Sequence, residues 1–357
     1  MIAVIPDCRD LDDLADIAGR IRTTIAEPVT IDGREMSVSA SIGLSLAPDH
    51  GTDASELLRT ANVGLHRAKA RGRNRVVAFD ESLRDEMRRQ SDHEEAVRRA
   101  IAAHEIEAVF IPEFDAVTNR LVGAEIAARW SGSRGDGSGD IDLTSPLLDV
   151  TTQERVTAEL LREARPTVRR LASLGLPAGF RFRLRVTSRA SVRTWSEQHL
   201  RALLNGIDPA VVTVSVTEQA IRHDLTLAAA ALGAFRALGI RVALDDVAAA
   251  SSSLSVLRTV PLDEIRIDRS SLEAVESRPQ DRAIVRALVG LGRDLGLTVS
   301  AVGVESGAQA DALMALGCVR QQGDHFSRPL SADALTGLLV LKIGLARAEH
   351  ATGGGTR

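Results

Sequence analysis

The stretch Ile240-Arg241-Val242-Ala243-Leu244-Asp245-Asp246 decides how the chain is read: a run of strand length, apolar but for one arginine, ends on two adjacent carboxylates. Similar runs recur at 107–111, 121–127, 181–187, 211–216, 262–267, 297–302 and 318–321. Amphipathic helical spacing fills 154–173, 225–238, 281–295 and 307–316 between them. Strands alternating with helices over residues 105–345 predict an α/β fold, a TIM-type (β/α)8 barrel. The competing architecture is an open doubly wound sheet, but no glycine-rich phosphate loop follows an early strand. In a barrel, the C-terminal ends of the strands surround the active site, and Asp245 and Asp246 stand at such an end. Paired acids there suit a hard divalent cation, Mg²⁺ or Mn²⁺, which takes oxygen ligands. An aspartate in this place also suits a helix N-cap, so the pair alone leaves both readings open.

The rest of the 357 residues bounds the problem. The length suits one large domain and a smaller one. With 44% apolar and 26% charged residues, the composition is that of an ordinary globular protein. A net charge of −4 gives no basic footprint for nucleic acid, and no apolar run is long enough to span a membrane. The N-terminus, Met1-Ile2-Ala3-Val4-Ile5-Pro6-Asp7-Cys8, lacks the basic start of a signal peptide and reads as a strand entering a loop. Cys8 and Cys318 are far apart and fit reduced thiols, which places the chain in the cytoplasm. Lys69 and Lys342 are the only lysines, so a lysine-dependent mechanism has few candidates.

Residues 1–80 predict a small α/β unit. After the opening strand, Leu11, Leu14, Ile17, Ala18 and Ile21 recur at helical spacing; an alternating segment at 36–46, a helix at 54–71 and a strand at 75–79 follow. Residues 81–104 are charged and helical, with Leu83 and Met87 one turn apart, and read as a linker. Residues 131–140 have the composition of a flexible loop, and 346–357 read as a disordered tail.

Carboxylates recur where barrel strands should end, at Glu125, Glu218, Asp245, Asp246 and Glu305, with the amide Gln322. Together with Arg129-Trp130, residues 261–268, Gly303-Val304-Glu305, Gln322-Gly323 and Phe326-Ser327-Arg328-Pro329-Leu330, their order resembles the EAL domain, a phosphodiesterase module that linearises cyclic di-GMP. Residues 2–80 resemble the rear half of a GGDEF domain, the diguanylate cyclase module, through Ala40-Ser41-Ile42-Gly43, Pro48-Asp49-His50-Gly51, Arg67-Ala68-Lys69 and Gly72-Arg73-Asn74. That resemblance implies phosphate contacts for Lys69 and Arg73. The loop that names the GGDEF family would lie upstream of Met1, so no diguanylate cyclase activity is expected of this chain.

The resemblance implies a two-metal EAL site in which Glu125 and Asp245 survive as ligands, with Asp246 beside them. Other family positions have changed. The ligand Asn falls on Thr187 and the second ligand Glu on Ser215, so neutral hydroxyls replace stronger oxygen donors. The family lysine falls on Arg266, and a further glutamate on Val302. The loop after Asp246 has lost its glycines to Val247-Ala248-Ala249-Ala250, and the Gln before Pro in the first strand is Ile111. Arg129, Gln322 and Glu305 are implied ligand-binding residues, and Glu218 would brace the Asp245 loop. Structural retention is the alternative: Glu305 and Asp245 could each cap a helix.

These changes predict a catalytically impaired domain with weakened Mg²⁺ or Mn²⁺ binding, acting as a cyclic di-GMP effector that needs no metal. A slow phosphodiesterase yielding the linear dinucleotide and a protein-interaction scaffold that binds no nucleotide are the alternatives. A protein partner of unknown kind and a homodimer through the barrel accompany these readings.

Overall fold

The computed structural model describes residues 2–8, 10–31, 34–70, 74–130, 140–141, 150–186, 204–222, 224–247 and 254–353. The chain divides into two compact units, Met1–His93 and Glu94–Arg357.

In the first unit, helix α1 (Leu11–Ile25) starts at Asp10, whose carboxylate accepts from the Asp13 amide at 2.9 Å. Strands β1 (Val29–Ile31) and β2 (Arg34–Met36) pair antiparallel, and β3 (Ile42–Leu44) and β4 (Val76–Ala78) pair parallel. Helix α2 (Ala54–Ala70) packs on β3 so closely that a Cβ on Gly43 would collide with its backbone at Ala61 and Leu65. Leu14, Ala18 and Leu44 form the core. The expected opening strand does not form: the backbone of residues 2–5 pairs with no strand, although Ile5 packs on the core. The alternating segment is likewise two short strands. Met36 and Val38 remain 54% and 61% exposed, so no apolar surface covers that face to hold a longer strand in place.

Helix α3 (Glu81–Ala102) covers the expected linker. The second unit is a closed barrel. Strands β5 (Ile106–Asp115), β6 (Arg120–Trp130), β8 (Arg181–Val186), β9 (Val212–Thr217), β10 (Arg241–Val247), β11 (Glu264–Ile267), β12 (Thr298–Val302) and β13 (Arg320–Gln322) form it, closing where β5 meets both β6 and β13. β7 (Asp140–Ile141) adds to the far end of β6. The predicted eight-stranded barrel is therefore present, with one departure from the all-parallel arrangement. β5 runs antiparallel to both neighbours because it turns directly into β6 as a hairpin, leaving no crossover helix between them.

The helices α4 (Val150–Ser173), α5 (Glu218–Ile221), α6 (Leu225–Ala237), α7 (Leu254–Thr259), α8 (Pro279–Asp294), α9 (Gly307–Ala315) and α10 (Ala332–Gly353) follow the strands. Helix α10 continues to Gly353, so the tail expected from 346 is helical over its first part. Leu160, Leu171, Leu232 and Phe235 on the helices and Phe182, Val242, Leu244 and Ile265 on the strands are buried between the two layers. Among the described residues no helix is long and apolar enough to cross a membrane, and both cysteines are free.

The turn entering β5 is tied to α4 by charge. His104 Nδ1 lies 2.8 Å from Glu159 Oε1, and Arg162 donates to both Glu159 oxygens at 2.6 and 2.9 Å. The Arg162 bonds, helped by His104 and opposed by burial, hold the Glu159 carboxyl at about 2, below its ordinary 4.5. A depressed carboxylate stabilises the fold above its ordinary value and loses that contribution as pH falls through the depressed one. Acid titration should therefore cost the wild type stability between about pH 4.5 and 2. Glu159→Gln should flatten that acid dependence, by an amount kept small because Arg162 is half exposed. Unfolding midpoints in urea at pH 5, 4 and 3 measure it, and parallel curves for the two proteins would refute it.

Candidate functional site

A TIM-type barrel commonly fills its interior with branched apolar side chains. This interior holds charges instead. Parallel strands bring residues of like facing into register: Glu125 with Arg183, Arg185 with Ser215, Ser215 with Ala243, and Thr217 with Asp245. Apolar residues at alternate positions face the helices, which leaves the polar set inside.

The centre of the site is Arg266 on β11, with its side chain only 2% exposed. Its Nη2 donates to Glu125 Oε2 at 2.7 Å and to Gln322 Oε1 at 2.8 Å, and its Nη1 donates to Asp245 Oδ1 at 3.0 Å. Gln322 Nε2 in turn donates to Glu125 Oε2 at 3.3 Å. Strands β6, β10, β11 and β13 thus converge on one guanidinium. Beside it, Arg185 Nε lies 3.0 Å from Asp245 Oδ2, and Arg185 Nη2 donates to Asp246 Oδ1 at 2.5 Å.

Asp246 reaches Arg185 because the β10–β11 register is irregular between Leu244 and Val247 and Asp246 has φ +58°. A left-handed aspartate is uncommon and costs about 1 kcal/mol or more, so the surrounding contacts must hold it. One layer deeper, Arg183 Nη2 donates to Glu113 Oε2 at 3.1 Å and to Glu264 Oε1 at 2.7 Å, where Ser300 Oγ also donates at 2.7 Å.

Burial opposes ionisation of Glu125 and Asp245, but Arg266 and Arg185 outweigh it and hold both below the usual carboxylate range. Asp246 moves the other way: burial outweighs Arg185, and neighbouring Asp245 adds to the upward shift. Arg266 is pushed up, because Asp245 and Glu125 more than offset its burial. Both guanidiniums remain charged.

Of the residues singled out in the sequence, Glu125, Asp245, Asp246, Arg266 and Gln322 come together. Ser215 is fully buried and level with Arg185; Val302 is level with Gln322. Thr187 and the loop 248–253 lie outside the described residues. Arg129 is half-buried on β6, in register with Glu107 and Asp140, four residues beyond Glu125 toward the mouth. Ile111 is in register with Glu125. Glu218 opens helix α5, for which the Thr217 hydroxyl is the cap.

Glu305 is apart from the cluster and pairs with Arg269 at 2.5 Å. It does not cap α9: Ser306 does, accepting from the Gln309 amide at 3.2 Å, while Gln309 Oε1 accepts from Ser306 N at 3.3 Å. Nor does Asp245 cap a helix, since it lies within β10 with its carboxylate on two arginines. Sequence reasoning missed Arg185, Arg183, Glu113 and Glu264. The available signal was Arg181-Phe182-Arg183-Leu184-Arg185, whose alternation gives β8 a wholly charged face.

Among the described residues, no three His, Cys, Asp or Glu side chains form a group that could hold a metal ion. As arranged, the site pairs three carboxylates with two guanidiniums.

The EAL domain family model matches residues 94–329, and the GGDEF diguanylate cyclase model matches residues 1–75. The cyclic di-GMP phosphodiesterase NbdA of Pseudomonas aeruginosa is 30% identical over 324 residues, covering 89% of this chain and 41% of that protein. The structure of the PaMucR phosphodiesterase in complex with c-di-GMP is 26% identical, with TM-score 0.59, covering 68% of this chain and 98% of that one. The manganese and cyclic di-GMP complex of Klebsiella pneumoniae BlrP1 has the same fold, at 24% identity and TM-score 0.54, covering 63% of this chain and 56% of that one. The chain spans 39% to 53% of the length of the curated relatives it first matches.

Proposed function

The chain belongs to the EAL-domain family of cyclic di-GMP signalling proteins, and from that premise we propose that its barrel binds cyclic di-GMP without hydrolysing it at enzymatic rates. Divalent metal use is typical of the family, and the residues present here do not fit such a centre. The observation that carries this reading is the Arg266 guanidinium, hydrogen-bonded at once to Glu125 and Asp245, the two acids that would be metal ligands. A cation placed among these oxygens competes with Arg266 and Arg185 for the same lone pairs, and Ser215 adds no charge to help it. The metal-supplied chemistry, activation of a water and neutralisation of the reacting phosphate, therefore has no support from these side chains.

Recognition need not be lost with hydrolysis. Arg129 stands on the Glu125 face of β6 toward the mouth, where a guanidinium can meet a phosphate of the dinucleotide. Such a charge-assisted contact contributes roughly 1.5–3 kcal/mol. Arg129→Ala should weaken cyclic di-GMP binding about ten- to a hundredfold. Glu125→Gln is a poor probe, because it also strips Arg266 of a partner. The deciding measurement is equilibrium binding of labelled cyclic di-GMP, in EDTA and again in Mg²⁺. Equal binding in both supports the effector reading. Binding with turnover in Mg²⁺ alone would make the chain a slow enzyme, and no binding at high micromolar ligand would leave the interaction-scaffold reading.

A further inference from the structure

Arg185 differs from its partner cation in one respect that matters for a ligand. Arg266 is enclosed, with 2% of its side chain exposed, whereas Arg185 keeps 26% and lies next to the last residue of β8, at the barrel mouth. A guanidinium carries five N–H donors in a rigid fork. In Arg185 the Nε edge faces Asp245 Oδ2 at 3.0 Å, and Nη2 is on Asp246 Oδ1 at 2.5 Å. Its Nη1 donors make no hydrogen bond with any described residue. The hydrogen bond to Asp246 and the ion pair with Asp245 hold the fork from below, and among the described residues nothing takes the Nη1 edge.

We propose that Arg185 is the phosphate-contacting cation of this mouth, the group on which a phosphodiester oxygen of the bound dinucleotide rests. The proposal builds on the non-hydrolysing receptor reading and assigns it a second anchoring residue beside Arg129. Three carboxylates, Glu125, Asp245 and Asp246, face two guanidiniums, Arg185 and Arg266, so the cluster is one negative charge in excess. An anionic ligand approaching it needs a cation at the point of contact. Arg266 is too enclosed to provide one. Arg185 is partly exposed, charged at every working pH, and already held by two acids, so little side-chain entropy is lost when the phosphate arrives. Removing its charge would leave the three acids against Arg266 alone and raise the repulsion on the same ligand.

The test is binding of labelled cyclic di-GMP to the full chain in EDTA, with melting curves on every variant. Arg185→Gln should weaken binding more than about tenfold, the size of one charge-assisted phosphate contact. Arg185→Lys keeps the charge against Asp245 and Asp246, and so the fold, but loses the fork; it should recover part of the affinity and show a weaker, more salt-sensitive complex. Arg236→Ala, which breaks a surface pair with Asp263, should bind as the wild type does. Wild-type affinity for both Arg185 variants would overturn the inference while leaving the receptor reading intact. So would binding that appears only when Mg²⁺ is added, because the metal would then be the phosphate contact. Absence of binding by the wild type itself would remove the receptor reading and the inference with it.

Discussion

Cyclic di-GMP should be linearised by the purified chain at least about a thousandfold more slowly than by an intact EAL enzyme, whether Mg²⁺ or Mn²⁺ is supplied. The scale is that of losing single catalytic groups, each commonly worth a factor of 10² to 10⁴. Here Thr187, Ser215, Arg266 and Val302 all stand where the family resemblance calls for another residue. Their losses will not multiply, since groups that act together fail together. The complementary measurement is reversion. Thr187→Asn, Ser215→Glu, Arg266→Lys and Val302→Glu together should recover more activity than any one alone. The structure adds a condition that the sequence did not supply: residue 215 is level with Arg185, so a restored glutamate there would meet that guanidinium before it met a metal. Arg185→Ser in the fourfold revertant should free that glutamate and raise kcat, while the lost phosphate contact raises KM. Linear product formed by the wild type at ordinary enzyme rates would sink the proposal.

The barrel was legible because its outer wall obeys the simplest rule. Val242 and Leu244 alternate with residues of the interior, both are nearly inaccessible, and the helices between strands keep a 3.6-residue apolar spacing. The acids were legible as inward-facing positions but not all as strand ends: Asp245 lies two residues before the end of β10, whereas β6 runs on to Trp130 and leaves Glu125 in its middle. Their partners were not. Arg183 and Arg185 carry a pattern that in an open sheet would face water, and only the closure of the barrel, with helices covering the apolar side, sends them inward. Likewise, the resemblance marked Arg266 as an altered residue, but spacing along β11 cannot show that its fork reaches acids on β6 and β10. The N-terminal strand failed for a different reason. Ile2 and Val4 have the right composition but are 70% and 87% exposed, and a strand without a neighbour has no ladder to join.

Arg266→Ala should destabilise the barrel by about 3–5 kcal/mol, the cost of breaking a buried ion pair from one side. Glu125 and Asp245, 8% and 2% exposed, would lose the cation that chiefly offsets their burial and would either stay charged at a cost or take up protons, with Gln322 and Arg185 still beside them. For a unit of this size the melting temperature should fall by about 10 °C. The direction of a second variant separates charge from packing. Arg266→Met with Glu125→Gln and Asp245→Asn removes the charges on both sides while keeping similar volumes, and should cost less than Arg266→Ala, because buried ion pairs replaced together are often nearly neutral. Urea unfolding with equal slopes for all three proteins gives the comparison. If Arg266→Ala unfolds at the wild-type midpoint, the guanidinium does not hold these carboxylates in solution, and the argument that it excludes a metal falls too. If it melts early and Mn²⁺ alone restores part of the loss, the same oxygens have accepted a divalent ion once the resident cation is gone.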